Sequence, residues 1–153
     1  MPMRCGQGGG IGEGRGTEKR IRSNPTRGRA LRRLQAALAQ PKSEWARDAA
    51  IQRFEFIFEL TWKNLAHAVR GEGLDCASPR LAFRAAVGLG WIGDDMLWLD
   101  MLEDRNRTTH TYEEATAEEI HARLSSYASA IAELRRAPAQ TSRAAHAVRM
   151  NPR

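Results

Sequence analysis

The sequence predicts one all-α domain, an antiparallel helical bundle of about five helices. Apolar residues recur at intervals of three and four in several windows, which is the helical period. No window shows the alternation of apolar and polar residues that a half-buried strand requires. With 153 residues, the chain is long enough for one domain with a hydrophobic core. Short segments marked by glycine or proline separate the helical windows, as they do in helical bundles.

The longest helical window spans about residues 44–71. Its apolar residues follow one face in steps of three and four: Ile51, Phe54, Phe58, Trp62, Leu65 and Val69. Two further apolar residues fall on another side of the helical wheel, Phe56 and Leu60. Between these sides lies a charged strip: Glu55, Glu59 and Lys63. We therefore expect this helix to pack against more than one neighbour, with Glu59 and Lys63 forming an i, i+4 ion pair.

Helix-start and helix-stop signals place four shorter helices. These span about residues 27–39, 79–87, 95–107 and 116–136. Three of them begin at recognisable capping residues: Ser78 before Pro79, Asp94 or Asp95, and a capping box of Thr116 with Glu119. Glycines close the long helix and the helix after it: Gly71, Gly73, Gly88 and Gly90.

Positive charge is concentrated at the two ends of the chain. The formal net charge is +6, to which residues 1–43 contribute +8, residues 44–136 contribute −5 and residues 137–153 contribute +3. Basic ends attract polyanions without recognising a sequence, so this charge carries little functional weight. Residues 1–26 contain seven glycines. We expect them to form a disordered arm, and residues 137–153 a flexible basic tail, on either side of a bundle at 27–136.

Several classes of protein and site are disfavoured by composition. The two cysteines, Cys5 and Cys76, do not make a disulfide framework, and no stretch approaches the roughly 18 apolar residues of a membrane span. We therefore expect a cytoplasmic protein that does not enter a membrane. The glycine-rich start does not complete a nucleotide-binding pattern in any frame. His67, His121 and His146 lie on separate elements, so we expect neither a metal site nor a cofactor.

The segment from Arg105 to Tyr112 carries the residues of greatest chemical interest. Arg105 extends an apolar helix face formed by Trp98, Met101 and Leu102. Its guanidinium must pair with a carboxylate or open into a cleft. The expected supporting carboxylates are Asp104, Glu55 and Glu59, and Glu103 is also available. The alternative is a helix-end cation that interacts with the helix dipole, worth roughly 0.3 to 1 kcal/mol. Asp100 and Asp104 share a face, which a divalent ion or an arginine could occupy.

His110 is the candidate proton-transfer residue. The β-branched Thr108 and Thr109, with the capping box downstream, place it in a connecting loop, where scaffolds commonly display reactive side chains. Imidazole changes protonation near neutral pH, and a guanidinium can hold a phosphate through forked donors. Arg105 and His110 therefore suffice in principle for metal-independent RNA cleavage, in which a 2′-hydroxyl attacks the neighbouring phosphate. A surface histidine without a function is the alternative.

Four stretches of the chain together resemble the HEPN superfamily: 47–56, 58–63, 78–80 and 98–112. Within it, the sequence is most similar to the nucleotidyltransferase substrate-binding proteins, relatives of the HepT toxins. The resemblance covers about residues 27–136 and includes an Arg-x4-His-x-Tyr motif. It implies a bundle that forms a homodimer with the motifs near a shared cleft. It also implies that Arg105 and His110 are a ribonuclease pair, with Asn106 as the polar residue after the arginine.

The same resemblance implies a partner, a minimal nucleotidyltransferase that acts as antitoxin by transferring AMP to the motif tyrosine, Tyr112. In an extended loop, Tyr112 and His110 would lie roughly 6 to 7 Å apart on one side. A phosphodiester on the tyrosine would then block the RNA site. A half-buried Tyr112 packed on the final helix is the alternative. Two other functions stay open: a non-catalytic module that presents a substrate to the transferase, and a purely structural helical dimer.

Overall fold

The computed structural model describes residues 24–93 and 95–134. Within these ranges the chain forms five α-helices and one 3-10 turn, and no strand. They are α1 (Pro25–Ala39), α2 (Glu44–Gly71), α3 (Pro79–Gly88), α4 (Asp95–Arg107), the turn Thr108–His110, and α5 (Glu114–Leu134). The predicted all-α bundle is confirmed. The expected arm before residue 24, the tail at 137–153 and the proposed capping residue Asp94 lie outside the described residues.

Helix α2 is the central element of the bundle. It packs against α1, α3 and α5, and more lightly against α4. Both of the sides that the sequence predicts to be apolar contribute to packing, although the Phe56 side chain remains largely exposed. The fully buried residues of α2 include Phe54, Ile57, Phe58, Leu65 and Val69. Removing side chains of this size from water contributes about 1.5 to 3 kcal/mol each, so α2 supplies much of the stability of the fold.

A continuous series of aromatic rings connects four of the helices. Its centroid separations are 5.5 Å from Tyr127 to Phe54, 6.1 Å from Phe54 to Phe58, 6.0 Å from Phe58 to Phe83 and 5.2 Å from Phe83 to Trp98. These distances lie in the range in which aromatic pairs attract beyond their buried area. The rings thus fix α3, α4 and α5 around α2, and with them the end of α4 that carries Arg105.

Helix ends follow the expected capping chemistry at the α2–α3 and α3–α4 connections. The Ser78 side chain accepts a hydrogen bond from the Leu81 backbone N–H at 3.3 Å. Gly73 and Gly90 adopt φ values of +80° and +73°, a conformation that glycine adopts at little cost. Helix α1 begins at Pro25, two residues earlier than expected, because the Asn24 side chain caps it.

The predicted capping box of α5 is wrong. The helix begins at Glu114, before the expected cap Thr116. The Thr116 hydroxyl donates to the Glu113 carboxylate at 3.3 Å instead of capping the helix. Glu119, the other expected member of the box, forms an ion pair with Arg107 at 2.6 Å. A carboxylate that already binds a guanidinium is not free to reach back to a helix N-terminus, so the helix starts one half-turn earlier.

The connection between α2 and α3 is closed by Arg70. Its guanidinium donates two hydrogen bonds to the Cys76 carbonyl, from Nε at 3.2 Å and from one terminal nitrogen at 2.7 Å. The Cys76 side chain is buried, and this burial raises the pKa of its thiol. No helix among the described residues is long and apolar enough to cross a membrane.

Candidate functional site

Arg105 lies in the last turn of α4 and faces α2. One of its terminal nitrogens is 3.3 Å from a Glu59 carboxylate oxygen, and its side chain is 27% exposed. Its Nε atom is buried and has no hydrogen-bond partner among the described residues. Glu59 also accepts a hydrogen bond from the Trp62 indole at 3.2 Å and lies 3.6 Å from the Lys63 ammonium, which confirms the i, i+4 pair. Arg105 is therefore held by one carboxylate that also interacts with two other donors.

Asp104 faces away from Arg105, so the idea that it pairs with this arginine is wrong. Its side chain is fully buried and accepts two hydrogen bonds from one Arg123 nitrogen at 2.8 and 2.9 Å. The Tyr127 hydroxyl donates to it at 2.5 Å, and Arg107 lies 3.3 Å away. Glu55 and Glu103 form no ion pair within the part of the chain that the structure describes. Glu59 alone of the four candidate carboxylates contacts Arg105.

Asp104 is also unavailable to a divalent metal ion. Its carboxylate oxygens are already bound by two arginines and a tyrosine, whereas Asp100 is exposed. In residues 24–93 and 95–134, no three side chains of His, Cys, Asp or Glu are arranged to hold a metal ion. His67 and His121 lie on α2 and α5, and His146 lies outside the described residues.

The pKa shifts around Asp104 follow from this ion-pair network. Burial, followed by the hydrogen bond to Asp104, raises the pKa of the Tyr127 phenol well above its ordinary range. The hydrogen bond to Asp104 likewise raises the pKa of Arg123. Hydrogen bonding between Arg107 and Glu119 raises the pKa of the guanidinium and lowers that of the carboxyl. The network therefore stabilises charged arginines and a neutral tyrosine, and it holds the end of α4 against α5.

The segment after Arg105 continues as a helical turn instead of an extended loop. Three threonine hydroxyls donate to backbone carbonyls three residues earlier: Thr108 to Arg105 at 2.7 Å, Thr109 to Asn106 at 3.3 Å and Thr111 to Thr108 at 3.1 Å. These bonds satisfy carbonyls that a helix end leaves without partners. The expectation of an extended segment is wrong, because threonine side chains supply these carbonyls with local donors.

His110 and Tyr112 project from this turn and are both exposed. The imidazole Nδ1 lies 3.4 Å from the tyrosine oxygen, and the ring centroids are 5.9 Å apart at 65°. Tyr112 is 78% exposed, so it is not the half-buried aromatic considered as an alternative. If the phenol donates to Nδ1, then Nε2 carries the proton. If Nδ1 donates, then Nε2 is a free base.

The candidate residues thus form two contact pairs at one end of the bundle. Arg105 pairs with Glu59, and His110 contacts Tyr112. Asn106 lies between them in sequence, with an exposed side chain. The arrangement can bind a phosphate with a guanidinium and move a proton with an imidazole, and it presents a phenol that another protein can reach.

Sequence reasoning missed the Asp104 network with Arg123 and Tyr127. One signal was present: Asp104 is three residues after Met101 and four before Thr108, and all three share a buried face. Arg123 and Tyr127 are likewise four apart on α5. A polar residue on an apolar face predicts a partner, but the partners lie 19 and 23 residues away, on another helix.

Comparisons with known proteins relate the chain to a family. The family model described as "Nucleotidyltransferase substrate binding protein like" matches residues 26–145. A protein named "Probable ribonuclease HepT" from Haemophilus influenzae is 30% identical over 83 residues, which are 51% of this chain and 57% of that protein. The chain therefore spans little more than half the length of that relative.

A solved structure has a similar sequence and fold. The crystal structure of a Thermus thermophilus protein is 40% identical, covers 71% of this chain and 94% of that one, and superposes with a TM-score of 0.67. The family model, the sequence relative and the helical architecture lead to one conclusion. The chain belongs to the nucleotidyltransferase substrate-binding-protein-like family, in the HepT-like branch of the HEPN superfamily.

Proposed function

We propose that this protein is a metal-independent endoribonuclease, the toxin of a toxin–antitoxin pair. Arg105 and His110 are the reacting residues, and Asn106 is the polar residue beside them. One observation carries the proposal: an exposed imidazole contacts an exposed phenol, at 3.4 Å, on the turn directly after a partly exposed arginine. A purely structural bundle has no need for this arrangement.

The reaction needs a proton acceptor, a proton donor and a stabiliser of negative charge. The RNA 2′-oxygen attacks the adjacent phosphorus and loses its proton, while the P–O5′ bond breaks and the leaving oxygen gains a proton. The products are a 2′,3′-cyclic phosphate and a 5′-hydroxyl. His110 transfers a proton in this scheme, a role that typically contributes about 10²- to 10⁴-fold. Homodimer formation, as the family implies, would bring a second copy of the motif to the same cleft.

Arg105 is suited to the negatively charged phosphorane. A guanidinium has five N–H donors, and the ion pair with Glu59 involves one terminal nitrogen of Arg105. The exposed part of the guanidinium can therefore bind phosphate oxygens while Glu59 fixes its position. Donors held in place before the reaction stabilise developing charge without reorganising, which is a large contribution in many enzymes.

Silencing follows from the contact between His110 and Tyr112. A partner nucleotidyltransferase would catalyse attack of the phenol oxygen on the α-phosphorus of ATP, with loss of the phenol proton and release of pyrophosphate. The AMP-tyrosine product lacks the hydroxyl proton and carries a negative phosphodiester beside the imidazole. That group would occupy the space of the RNA and repel its phosphates. The high exposure of Tyr112 supports access by the partner.

The test compares RNA cleavage by matched histidine variants. Purified protein, with Tyr112 shown by mass to be unmodified, is incubated with cellular RNA in the presence of a chelator. We expect wild type and His67→Ala to cleave, since His67 is exposed on α2. His110→Ala should be at least about 100-fold slower. Equal cleavage by His110→Ala and wild type would contradict the assignment.

A second function is a non-catalytic subunit that presents a substrate to a nucleotidyltransferase. The family description supports it, and the Arg105–Glu59 pair, in which the cation is neutralised, is compatible with it. Under this function, folded wild-type protein with unmodified Tyr112 leaves RNA intact. It still binds the transferase, which size-exclusion chromatography of the mixture would detect.

A further inference from the structure

A basic groove lies between α1 and α2, outside the residues of the proposed site. It is open to solvent and has a volume of about 470 Å³. Its lining includes three arginines, small residues and one aromatic ring: Arg29, Arg32, Arg33, Ala30, Ala36 and Phe56. Helix α1 contains no acidic residue, so nothing on that helix offsets the charge of the groove.

The three groove arginines differ from the other arginines around the candidate site. Arg29, Arg32 and Arg33 are exposed, and none of them forms an ion pair with a carboxylate in residues 24–93 and 95–134. By contrast, Arg107 and Arg123 are held by carboxylates. Three unneutralised cations on consecutive turns of one helix wall attract a polyanion, and releasing its counterions strengthens binding.

Phe56 adds a feature that simple attraction of polyanions does not need. It is 55% exposed, although most large apolar residues of α2 are buried. An exposed aromatic ring beside a row of cations matches the way proteins bind single-stranded nucleic acids. In that mode, bases stack on the ring and the backbone follows the positive groove. An acidic protein surface would complement the arginines, but the Asp and Glu side chains that supply its charge have no aromatic ring to stack on Phe56.

One residue of the groove is close along α2 to the residue that contacts Arg105. Phe56 and Glu59 are three residues apart on α2, so their side chains are neighbours on one face and their Cα atoms differ by about 4.5 Å along the axis. Glu59 holds Arg105 at 3.3 Å. A strand stacked on Phe56 therefore passes within about one helical turn of the contact that positions Arg105.

We propose that the α1–α2 groove is an RNA-binding site for a single-stranded segment next to the cleavage point. The groove arginines bind its phosphates, and Phe56 stacks on one base. This inference rests on the proposed function, because RNA is taken to be the substrate of Arg105 and His110. It adds a binding site on a different pair of helices.

The experiment measures binding without cleavage. Fluorescence anisotropy is recorded with a labelled, unstructured RNA of about 12 nucleotides, in the His110→Ala background, over a series of salt concentrations. One variant replaces Arg29, Arg32 and Arg33 with alanine, and a second is Phe56→Ala. The matched control replaces Arg80 and Arg84, exposed arginines of α3 that have no ion pair among the described residues, with alanine.

The expected results separate phosphate contacts from stacking. The triple arginine variant should bind at least about tenfold more weakly and lower the salt slope by about two, since each phosphate contact contributes about 0.7 in a single strand. Phe56→Ala should bind about tenfold more weakly with an unchanged slope. The control should stay within about twofold of the parent, although it loses two positive charges where the groove variant loses three. Melting curves establish that each variant is folded.

Three results of the binding experiment would overturn the inference. They are an unchanged RNA affinity in the triple arginine variant, an equal loss of RNA affinity in the control, and no effect of Phe56→Ala on RNA binding. A change in self-association instead of RNA binding, measured by sedimentation, would identify the groove as an interface between copies. Failure of the groove inference is distinguishable from failure of the ribonuclease proposal. Groove variants that keep His110 and cut RNA normally refute the groove alone, whereas groove-dependent binding without cleavage by wild type refutes the ribonuclease alone.

Discussion

Replacing Asp104 with alanine tests whether the end of α4 depends on its buried ion-pair network. Asp104 is fully buried and accepts hydrogen bonds from Arg123, Tyr127 and Arg107. Removing one member of a buried ion pair typically costs about 3 to 5 kcal/mol, because the other member is left without its partner. The loss of stability therefore depends on whether each of the three donors can reach water or another acceptor.

After the substitution, water can solvate two of the donors but not the third. The Arg123 and Arg107 side chains are 47% and 32% exposed, and Arg107 keeps its ion pair with Glu119. Water can therefore solvate both guanidinium groups. The Tyr127 hydroxyl is on a residue that is 1% exposed, and a buried donor without an acceptor costs about 1 to 3 kcal/mol. We expect a loss of about 3 kcal/mol, at the lower end of the range for buried pairs.

The assay is urea denaturation followed by circular dichroism, with Asp100→Ala as the matched control. Asp100 is one turn away on α4 and exposed, so its replacement should leave the midpoint unchanged. Asp104→Asn keeps the side-chain volume and one acceptor for the tyrosine, and should lose less stability than Asp104→Ala. A loss below about 1 kcal/mol in Asp104→Ala would refute the reasoning, because it would mean that no donor is left buried and unpaired.

Two further predictions concern charge at the same end of the bundle. The raised pKa of Tyr127 means that the folded protein keeps a proton that the unfolded chain loses above about pH 10. The free energy of unfolding should therefore fall by up to about 1.4 kcal/mol per pH unit above pH 10. This slope, measured by urea titrations, should shrink in Tyr127→Phe. Glu59→Gln removes the negative charge beside Arg105. In the His110→Ala background it should tighten RNA binding about threefold at low salt, whereas weaker binding would show that Glu59 is needed mainly to position Arg105.

The parts of the fold that were predictable depend on short-range patterns. The apolar period of α2, the Ser78 cap and the Gly73 turn are all readable from neighbouring residues, and each is confirmed. The network around Asp104 was not predictable in the same way. A buried carboxylate requires donors from another helix, and nothing in the local sequence states that Arg123 and Tyr127 will face it.

The candidate site shows the same division. The motif residues Arg105, His110 and Tyr112 were recognisable in sequence, but their relative geometry was not. The extended-loop distance for the His110–Tyr112 pair was close to the observed ring separation for the wrong reason. The backbone is a turn held by threonine hydroxyls, and it brings the two side chains together by curvature.

Because the connection between α2 and α3 is closed, the rate at which Cys76 is alkylated reports local opening of the bundle. A thiol reacts with alkylating agents only as an accessible thiolate, and burial opposes both conditions here. The Cys76 carbonyl is bound by Arg70, so exposing the thiol requires these hydrogen bonds to break. With Cys5 replaced by serine, the labelling rate therefore counts how often the connection opens in native buffer. Glu59 and Phe56 lie on α2, so the labelling rate of Cys76 also reports whether RNA or a partner protein reduces local opening of the helix that supports the site.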